Sequence, residues 1–503
     1  MKMKKRICTV ITAGTLCLTG STLFGAAFNV SAEEVSIPAD SASGVIWDES
    51  DLTRTTWDVL TYEVLDDGTA EITNCAEEAE KVIIPPEIDG YTVSGIRSNA
   101  FFNCTDLTEV TLPDSIKTIG DWAFYHCSNL ERIVIPEGVI TIGMNTFQDC
   151  SNLTEVVLPE SVTVIGRQVF SGCINLKEIA FPQQITEVGC SAFQNCQSLT
   201  EVVLPEGLTT IGSSAFDNCT SLSEVTIPES VTEIGSIAFG ETPWLAAKQA
   251  EDPLVIVNQM VIDGTACSGK VVIPGGVTKI AEFAFAGCEE MTYISIPDSV
   301  TDIQDFTFGG CSGLTELAIP PRVNHIGRYA FTACKNLTII SIPDGITTLE
   351  EDTFYLCSKL NSIILPKSIS EIQTDAFSKC DALKEVYYFG NNEMWENVTI
   401  SGDNTILNNA VLYCLADNTS DDSINSDDND SNSFTLYGDV DCDGTVSIID
   451  AVLLSKAVSG AVQLNEQAIQ NSDCNSNDEL DAGDAAELMK FLVNLIPSLP
   501  YNS

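Results

Sequence analysis

The sequence is poor in basic residues and nearly devoid of histidine. Its 503 residues include 23 Lys and Arg, 72 Asp and Glu, and two His. A surface with this excess of negative charge repels nucleic acid and anionic membranes, which argues against both as partners. The histidines, His126 and His325, lack a metal-ligand neighbour at helical spacing, and we expect structural roles for them.

Short catalytic motifs are also missing. The sequence contains no H-E-x-x-H, no G-x-S-x-G and no phosphate-binding loop motif. Glycosidases need only two suitably placed carboxylates, which so acidic a sequence could supply. However, many acids recur at outward positions of a repeat, among them Glu109, Glu155, Glu201 and Glu224. We expect these to form a solvated stripe.

A long apolar run is found only at the N-terminus. Residues 1–32 begin with Lys2, Lys4, Lys5 and Arg6, continue through an apolar segment and end in small residues, as a secretory signal peptide does. A retained membrane span is the alternative for this segment. Removing it would leave 19 basic and 72 acidic residues, a net charge of −53. No later stretch is long and apolar enough to span a bilayer.

A 23-residue period dominates the rest of the sequence. Residues 107–129, 153–175 and 199–221 share the pattern L-x-x-V-x-L/I-P-x-x-V-x-x-I-G-x-x-A-F-x-x-C. The segment 240–268 keeps this register but loses the consensus, and it contains Trp244, a candidate contact residue for which burial is the alternative. Fixed periods of this length indicate stacked repeats, each of which buries the apolar face of its neighbours.

The consensus predicts an α/β repeat solenoid built on a stack of parallel strands. L-x-x-V-x-L/I is read as a short strand that Pro terminates, I-G as a turn, and A-F as the step that places an aromatic ring in the core. One cysteine per repeat falls at a single phase. Stacked side chains about 4.8 Å apart are poorly placed for disulfides, so we expect these thiols to be small buried apolar residues.

The repeat resembles the BspA-type leucine-rich repeats of bacterial surface proteins over roughly residues 60–415. Residues 61–101 resemble that family's N-terminal cap, with a hairpin at Asp67 and Gly68, and residues 383–413 resemble its C-terminal cap, with Trp395 covering the last coil. The family is associated with adhesion and protein binding, and the resemblance implies no catalytic activity. The predicted segments are 1–32 signal peptide, 33–106 N-terminal extension and cap, 107–390 repeats, 391–416 C-terminal cap, 417–433 linker and 434–503 a small second domain.

Residues 417–433 form an acidic stretch ahead of that second domain. It holds six Asp, five Ser and four Asn without a Lys or Arg, which predicts a disordered linker. The following sequence, "GDVDCDGTVSIID", places acidic residues at alternating positions around a glycine, as a calcium loop does.

Two such loops occur in tandem, each followed by a helix-spaced segment, which predicts two bound Ca²⁺ ions in a small all-α module. Position 12 is Asp in both loops, where the standard EF-hand has Glu, and the second loop has Asp478 where the first has Gly444. No amphipathic entering helix precedes the first loop. The predicted ligands are Asp439, Asp441, Asp443, Thr445 and Asp450 in the first loop and Asp473, Asn475, Asn477, Glu479 and Asp484 in the second, with Ser447 and Asp481 as possible water-mediated ligands.

The pair of loops resembles a type I dockerin, the calcium-dependent module that attaches cellulosomal proteins to the cohesin domains of a scaffoldin. The resemblance implies that loop positions 10 and 11 contact cohesin. The corresponding residues, together with two equivalently placed lysines, are Ile448, Ile449, Lys456, Ala482, Gly483 and Lys490. The Ser/Thr pairs of clostridial dockerins are absent and the two halves differ, so we favour the face that carries Ile448 and Ile449.

Together these features predict a secreted, non-catalytic cellulosome subunit. The dockerin would hold the protein on a scaffoldin, outside the cell or at its surface. The solenoid would bind an unknown protein or glycan in the context of polysaccharide degradation. One alternative is a cell-surface adhesin held by an anchored scaffoldin. A second is a polysaccharide-active enzyme with an unrecognised site, which the missing motifs disfavour.

Overall fold

In the computed structural model, the chain consists of two compact units, Met1–Asn418 and Thr419–Ser503. The residues described are 59–414 and, in the second unit, 440, 450, 454, 464, 466–474, 480, 484 and 488. The predicted signal peptide and the predicted linker lie outside these residues.

The first unit is a stack of coils with short parallel strands repeated about every 23 residues, which confirms the predicted solenoid. Four strands lie at the N-terminal end of this unit. β1 Leu60–Val64 and β2 Ala70–Cys75 form the antiparallel hairpin that turns at Asp67 and Gly68, and β4 Glu87–Ile88 pairs antiparallel with β5 Tyr91–Ile96. Strands are numbered in chain order.

Strands of the first ladder come from the L-x-x-V-x-L/I segment, as predicted. Only the middle residue of each three-residue strand points into the core, because side chains alternate across a strand. They are β3 Lys81–Ile83, β6 Glu109–Thr111, β8 Arg132–Val134, β10 Glu155–Val157, β13 Glu201–Val203, β15 Glu224–Thr226, β19 Gly269–Val272, β21 Met291–Ser295, β23 Glu316–Ala318, β25 Ile339–Ser341, β27 Ser362–Leu365, β29 Glu385–Tyr388 and β31 Val411–Cys414.

A second ladder of short strands lies at the place in the repeat where the I-G pair predicts only a turn. Its strands are β7 Thr118–Ile119, β9 Thr141–Ile142, β11 Val164–Ile165, β12 Glu187–Val188, β14 Thr210–Ile211, β16 Glu233–Ile234, β18 Met260–Asp263, β20 Lys279–Ile280, β22 Asp302–Ile303, β24 His325–Ile326, β26 Thr348–Leu349, β28 Glu371–Ile372 and β30 Thr399–Ile400. The glycine that follows permits close stacking of coils: a Cβ on Gly212 would lie 2.4 Å from the backbone nitrogen of Cys190 in the preceding coil.

Both ladders are parallel and in register across coils. Residues 23 positions apart face each other, as in the pairs Val156 with Ile133 and Ile165 with Ile142. The sheets run in the orders β1-β2-β5-β7-β9-β11-β12-β14-β16 with β4 beside β5, β10-β8-β6-β3, β13-β15, β17-β18-β20, β19-β21-β23, β22-β24, β25-β27-β29-β31 and β26-β28-β30, where β17 is Val255–Val257.

Turns form the remaining side of each coil and are also joined by backbone hydrogen bonds. The Phe124 N–H donates to the Thr146 carbonyl of the next coil over 2.8 Å, and the same bond recurs from coil to coil. The phenylalanine side chains of this segment form a buried stack whose ring centroids lie 5.3 Å apart for Phe193 and Phe216 and 5.6 Å apart for Phe147 and Phe170. The prediction that A-F places a ring in the core is confirmed.

The cysteine ladder is confirmed as a column of buried thiols without disulfides. It comprises Cys104, Cys127, Cys150, Cys173, Cys196, Cys219, Cys288, Cys311, Cys334, Cys357 and Cys380. The thiols do more than fill space. Burial raises the pKa of the Cys173 thiol, which is therefore protonated, and its Sγ donates to the Phe147 carbonyl over 3.2 Å. Each thiol thus satisfies a backbone carbonyl of an earlier coil inside the core.

The segment 240–268 contains the longest helix within residues 59–414. This helix, α1 Pro243–Glu251, begins after Thr242, whose hydroxyl accepts the Leu245 N–H. Trp244 is buried against Phe239, with ring centroids 4.7 Å apart, so it belongs to the core and is not available as a contact residue.

The C-terminal cap closes the last coil through a short helix, α2 Asn392–Glu396, and a 3-10 turn, Thr405–Asn408. Trp395 packs on Tyr388 as predicted, with ring centroids 5.2 Å apart. Asn404 was not predicted from the sequence. Its carboxamide accepts the Phe377 N–H over 2.8 Å and donates to the Gln373 carbonyl over 2.7 Å, which satisfies backbone groups that would otherwise point beyond the final coil.

Candidate functional site

The second unit carries the predicted calcium loops, and the structure describes the last residue of each. Asp450 and Asp484, at position 12 of the two loops, both have helical backbone and are fully buried. Four residues later in each case, Leu454 and Leu488 are helical and fully buried as well. The two halves of the module therefore place a carboxylate and an apolar side chain equivalently.

Asp450 is connected to the beginning of its own loop. The N–H of Val440, at loop position 2, donates to Asp450 Oδ1 over 2.6 Å. This bond brings the two ends of the first loop together. Val440 is itself buried, so the contact lies away from solvent.

A helix that the sequence analysis did not predict leads into the second loop. It is α3, Glu466–Ser472, and the Ser472 hydroxyl donates back to the Ala468 carbonyl over 2.6 Å. Asp473, at position 1 of the second loop, follows the helix directly and is half-buried. The signal that could have located α3 is weak, because the helix is short and only Ala468 and Ile469 are apolar.

The other predicted site residues lie outside the described residues. They are Asp439, Asp441, Asp443, Thr445, Ser447, Asn475, Asn477, Glu479 and Asp481 among the metal ligands, and Ile448, Ile449, Lys456, Ala482, Gly483 and Lys490 among the cohesin contacts.

The carboxylates of Asp450 and Asp484 are donors of the kind that a hard divalent cation prefers. A buried ionised carboxylate is costly unless hydrogen bonds or a cation compensate its charge. Asp450 and Asp484 combine full burial with a place at the end of a loop of oxygen-bearing side chains, the type of ligand that Ca²⁺ prefers.

His325 lies between two carboxylates of the solenoid. It lies in β24, with Nδ1 2.9 Å from an oxygen of Asp302 and Nε2 3.2 Å from an oxygen of Glu350. The hydrogen bond to Asp302 is the main cause that raises the pKa of His325 to about 9. With its pKa raised in this way the ring is protonated at neutral pH, and both of its nitrogens can donate to the two carboxylates.

Stability should therefore fall as the pH rises past neutrality. The folded pKa of His325 is above its ordinary value of 6.5, so its contribution is complete below pH 6.5 and is lost as the pH approaches 9. Because the side chain is 42% exposed, we expect solvent screening to reduce the effect to about 1 kcal/mol. Urea unfolding at a series of pH values would measure it, and His325→Gln should remove this part of the pH dependence. An unchanged pH profile in the variant would contradict the assignment.

No helix in the described part of the chain is long and apolar enough to cross a membrane.

The repeated coil and its two caps define a leucine-rich repeat solenoid. The family described as BspA type leucine rich repeat region matches residues 74–200, 140–267 and 278–407, and the chain belongs to this family. The description dockerin type I domain matches residues 437–493, so the second module is a dockerin. Neither family is catalytic. Dockerin type I domains are calcium-binding modules whose partner is cohesin, and the two families together indicate an extracellular or surface protein.

Several solved bacterial proteins resemble the solenoid. A leucine-rich cell surface protein of Faecalibacterium prausnitzii A2-165 is 26% identical, with 71% of this chain and 99% of that chain covered and a TM-score of 0.36. A leucine-rich repeat protein of Bacteroides ovatus ATCC 8483 is 23% identical (71% and 98% covered, TM-score 0.31), and one of Eubacterium ventriosum ATCC 27560 is 20% identical (66% and 83% covered, TM-score 0.40). Comparison with curated proteins gives no match.

Proposed function

We propose that this protein is a secreted, non-catalytic subunit of a cellulosome-type assembly. The observation that carries the proposal is the dockerin at residues 437–493 in a chain whose other domain is a leucine-rich repeat solenoid. The dockerin would attach the chain to a cohesin domain of a scaffoldin. The solenoid would then hold a protein or glycan ligand near the polysaccharide-degrading enzymes of the same assembly.

Two Ca²⁺ ions are proposed as cofactors of the dockerin. The side chains of Asp439, Asp441, Asp443 and Asp450, with the carbonyl of Thr445, would hold the first, and Asp473, Asn475, Asn477, Asp484 and the carbonyl of Glu479 the second. When bound, calcium supplies the positive charge that allows these acidic loops to close. The burial of Asp450 and Asp484 supports their part in it.

Ile448 and Ile449 are the proposed centre of the cohesin contact. They directly precede Asp450, so the metal ligand and the contact residues would belong to one rigid segment. Lys456 and Lys490 would add contacts at the rim, and the second-loop pair Ala482 and Gly483 would contribute less because small side chains bury less apolar area.

Calorimetric titration of the full chain into a panel of cohesin domains tests the proposal. We expect tight binding in calcium that EDTA abolishes and that Ile448→Asp with Ile449→Asp weakens by at least about 100-fold, equivalent to about 2.7 kcal/mol. Lys367→Asp, an exposed change in the solenoid, serves as the matched control and should leave binding intact. Failure to bind any cohesin in calcium would contradict the proposal.

A further inference from the structure

The outer face of the first ladder carries an unusual row of exposed apolar side chains in the N-terminal half of the solenoid. We name it the valine stripe. It consists of the outward residue at the end of six first-ladder strands, Ile83, Thr111, Val134, Val157, Val203 and Thr226, and of Ala180 at the equivalent position of the coil between β10 and β13, which forms no strand there. Val203 is 55% exposed and Ile83 is 54% exposed. Because Thr111 and Thr226 occupy the same place, the strand itself does not require valine there.

Two rows of carboxylates flank the valine stripe. One lies two residues before the stripe on the same strand face, about 7 Å away. The other lies three residues after it, at the corner where the strand ends, within about 11 Å along the chain. The acidic members are all exposed: Glu109, Glu155, Glu178, Glu201 and Glu224 in the first row, where Lys81 and Arg132 occupy two further positions, and Asp114, Glu137, Glu160, Glu206 and Glu229 in the second, where Gln183 occupies one.

Neighbouring carboxylates of the first row repel one another in the unbound protein. Glu201 faces Glu224 directly across the parallel pair, and like charges in that position are destabilising. Lys81 neutralises Glu109 over 3.0 Å and Arg132 neutralises Glu155 over 2.9 Å. Among the ion pairs within residues 59–414, none includes Glu178, Glu201 or Glu224. A cationic partner would relieve this repulsion.

The pairing of exposed apolar residues with flanking carboxylates is confined to the coils before α1; beyond α1, Val272 is 68% exposed at the stripe position but has Lys270 and Gly275 at the flanking positions. In the coils after α1, the positions of the first row include Lys270, Tyr293 and Ser362, and those of the second include Gly275 and Lys367. The neighbouring positions therefore change from a mainly acidic surface, in which the first row is Glu at every position from 155 to 224, to a mixed one. A partner selected by charge would accordingly bind the N-terminal half.

We propose that the valine stripe and its two acidic rows bind a basic amphipathic polypeptide segment. The proposal rests on the proposed binding role of the solenoid and identifies its ligand class. A helix with an apolar stripe and lysines along both edges matches an apolar row between two acidic rows, because lysine stems lie along apolar surface while their charges reach outward. The six coils from 107 to 229 extend about 25–30 Å, the length of a helix of about 18 residues.

Other occupants fit this surface less well. The outward positions of the first row and of the valine stripe contain no aromatic residue between 81 and 226, so no ring is available for a sugar to stack on. A second copy of this surface would bring together charges of the same sign. Nucleic acid is repelled for the same reason.

Fluorescence anisotropy with the full chain tests the proposal. The probe is a labelled amphipathic peptide of about 18 residues built from Leu and Lys, compared with a Leu/Glu peptide of the same pattern and a Lys/Ser peptide without apolar residues. We expect binding of the Leu/Lys peptide alone, weakened at least tenfold by Glu201→Lys with Glu224→Lys and severalfold by Val157→Thr with Val203→Thr. Raising the salt concentration should weaken it further.

A matched variant separates this surface from overall charge. Glu187→Lys with Glu396→Lys changes the net charge equally at exposed sites away from the stripe and should bind the peptide as the unmodified protein does. Equal loss in both double variants, equal binding of the acidic peptide, or no binding of the Leu/Lys peptide would overturn the proposal. Cohesin binding measured on the same preparations distinguishes this failure from failure of the proposed docking function, which the solenoid substitutions leave unaffected.

Discussion

Asp450→Asn should lower the affinity of the full chain for cohesin in calcium by at least about 100-fold, equivalent to about 2.7 kcal/mol. Asp450 is fully buried at the end of the first loop and accepts the Val440 N–H over 2.6 Å. Asparagine keeps an oxygen for that hydrogen bond and has nearly the same shape, but it lacks the negative charge. The substitution therefore removes the negative charge that the proposed calcium site requires and keeps the acceptor for the Val440 N–H.

Titration calorimetry with calcium and with cohesin would measure the effect. Asp484→Asn is the matched change in the second loop. It should affect cohesin binding less, because the proposed contact residues Ile448 and Ile449 belong to the first loop. If Asp450→Asn binds cohesin as the unmodified chain does, Asp450 acts only as a hydrogen-bond acceptor and the first loop is not the calcium site that supports docking.

Phe193→Ala should lower the free energy of unfolding of the solenoid by about 3–5 kcal/mol, the usual cost of removing a buried aromatic ring. Phe193 is fully buried and stacks on two rings, Phe170 and Phe216, with centroids 5.3 Å away in both cases. Each coil of a solenoid is stabilised mainly by its two neighbours, so a cavity in a central coil weakens both interfaces.

Phe102→Ala provides the comparison, since it removes the same ring from a position that is 45% exposed. Phe102 stacks only on Tyr125, with centroids 5.0 Å apart, and we expect a loss of about 1 kcal/mol. Urea unfolding followed by circular dichroism would compare the two variants. Equal losses would show that the ring stack is not the principal core of the solenoid.

Much of the fold could be predicted from the sequence because the same local pattern of residues recurs in many coils. The first strand, the terminating proline, the buried Phe193 of one coil and the unbridged Cys196 beside it all follow from one consensus. The second ladder did not follow from it. Two residues such as Thr210 and Ile211 are too few to show alternation, and they form a strand only because the next coil supplies hydrogen-bond partners.

Prediction of the candidate site was limited in a different way. The spacing of oxygen-bearing residues over loop positions 1 to 12 allowed ligands to be proposed from the sequence. The burial of Asp450 and Asp484 and the bond from Val440 depend on how each loop folds back on itself. The helix α3 is short and nearly polar, and its formation depends on packing of Ala468 rather than on a periodic apolar face.

The 23-residue coil, the thiol column and the acidic character follow from the sequence alone, because each depends on residue type at a fixed local spacing. The tertiary structure sets the role of each distinctive side chain. It buries Trp244, uses Asn404 to cap the last coil and encloses His325 between Asp302 and Glu350. These outcomes depend on groups in neighbouring coils, more than 20 residues away in the chain in the cases of Asn404 and His325, whose positions are set only when the coils stack.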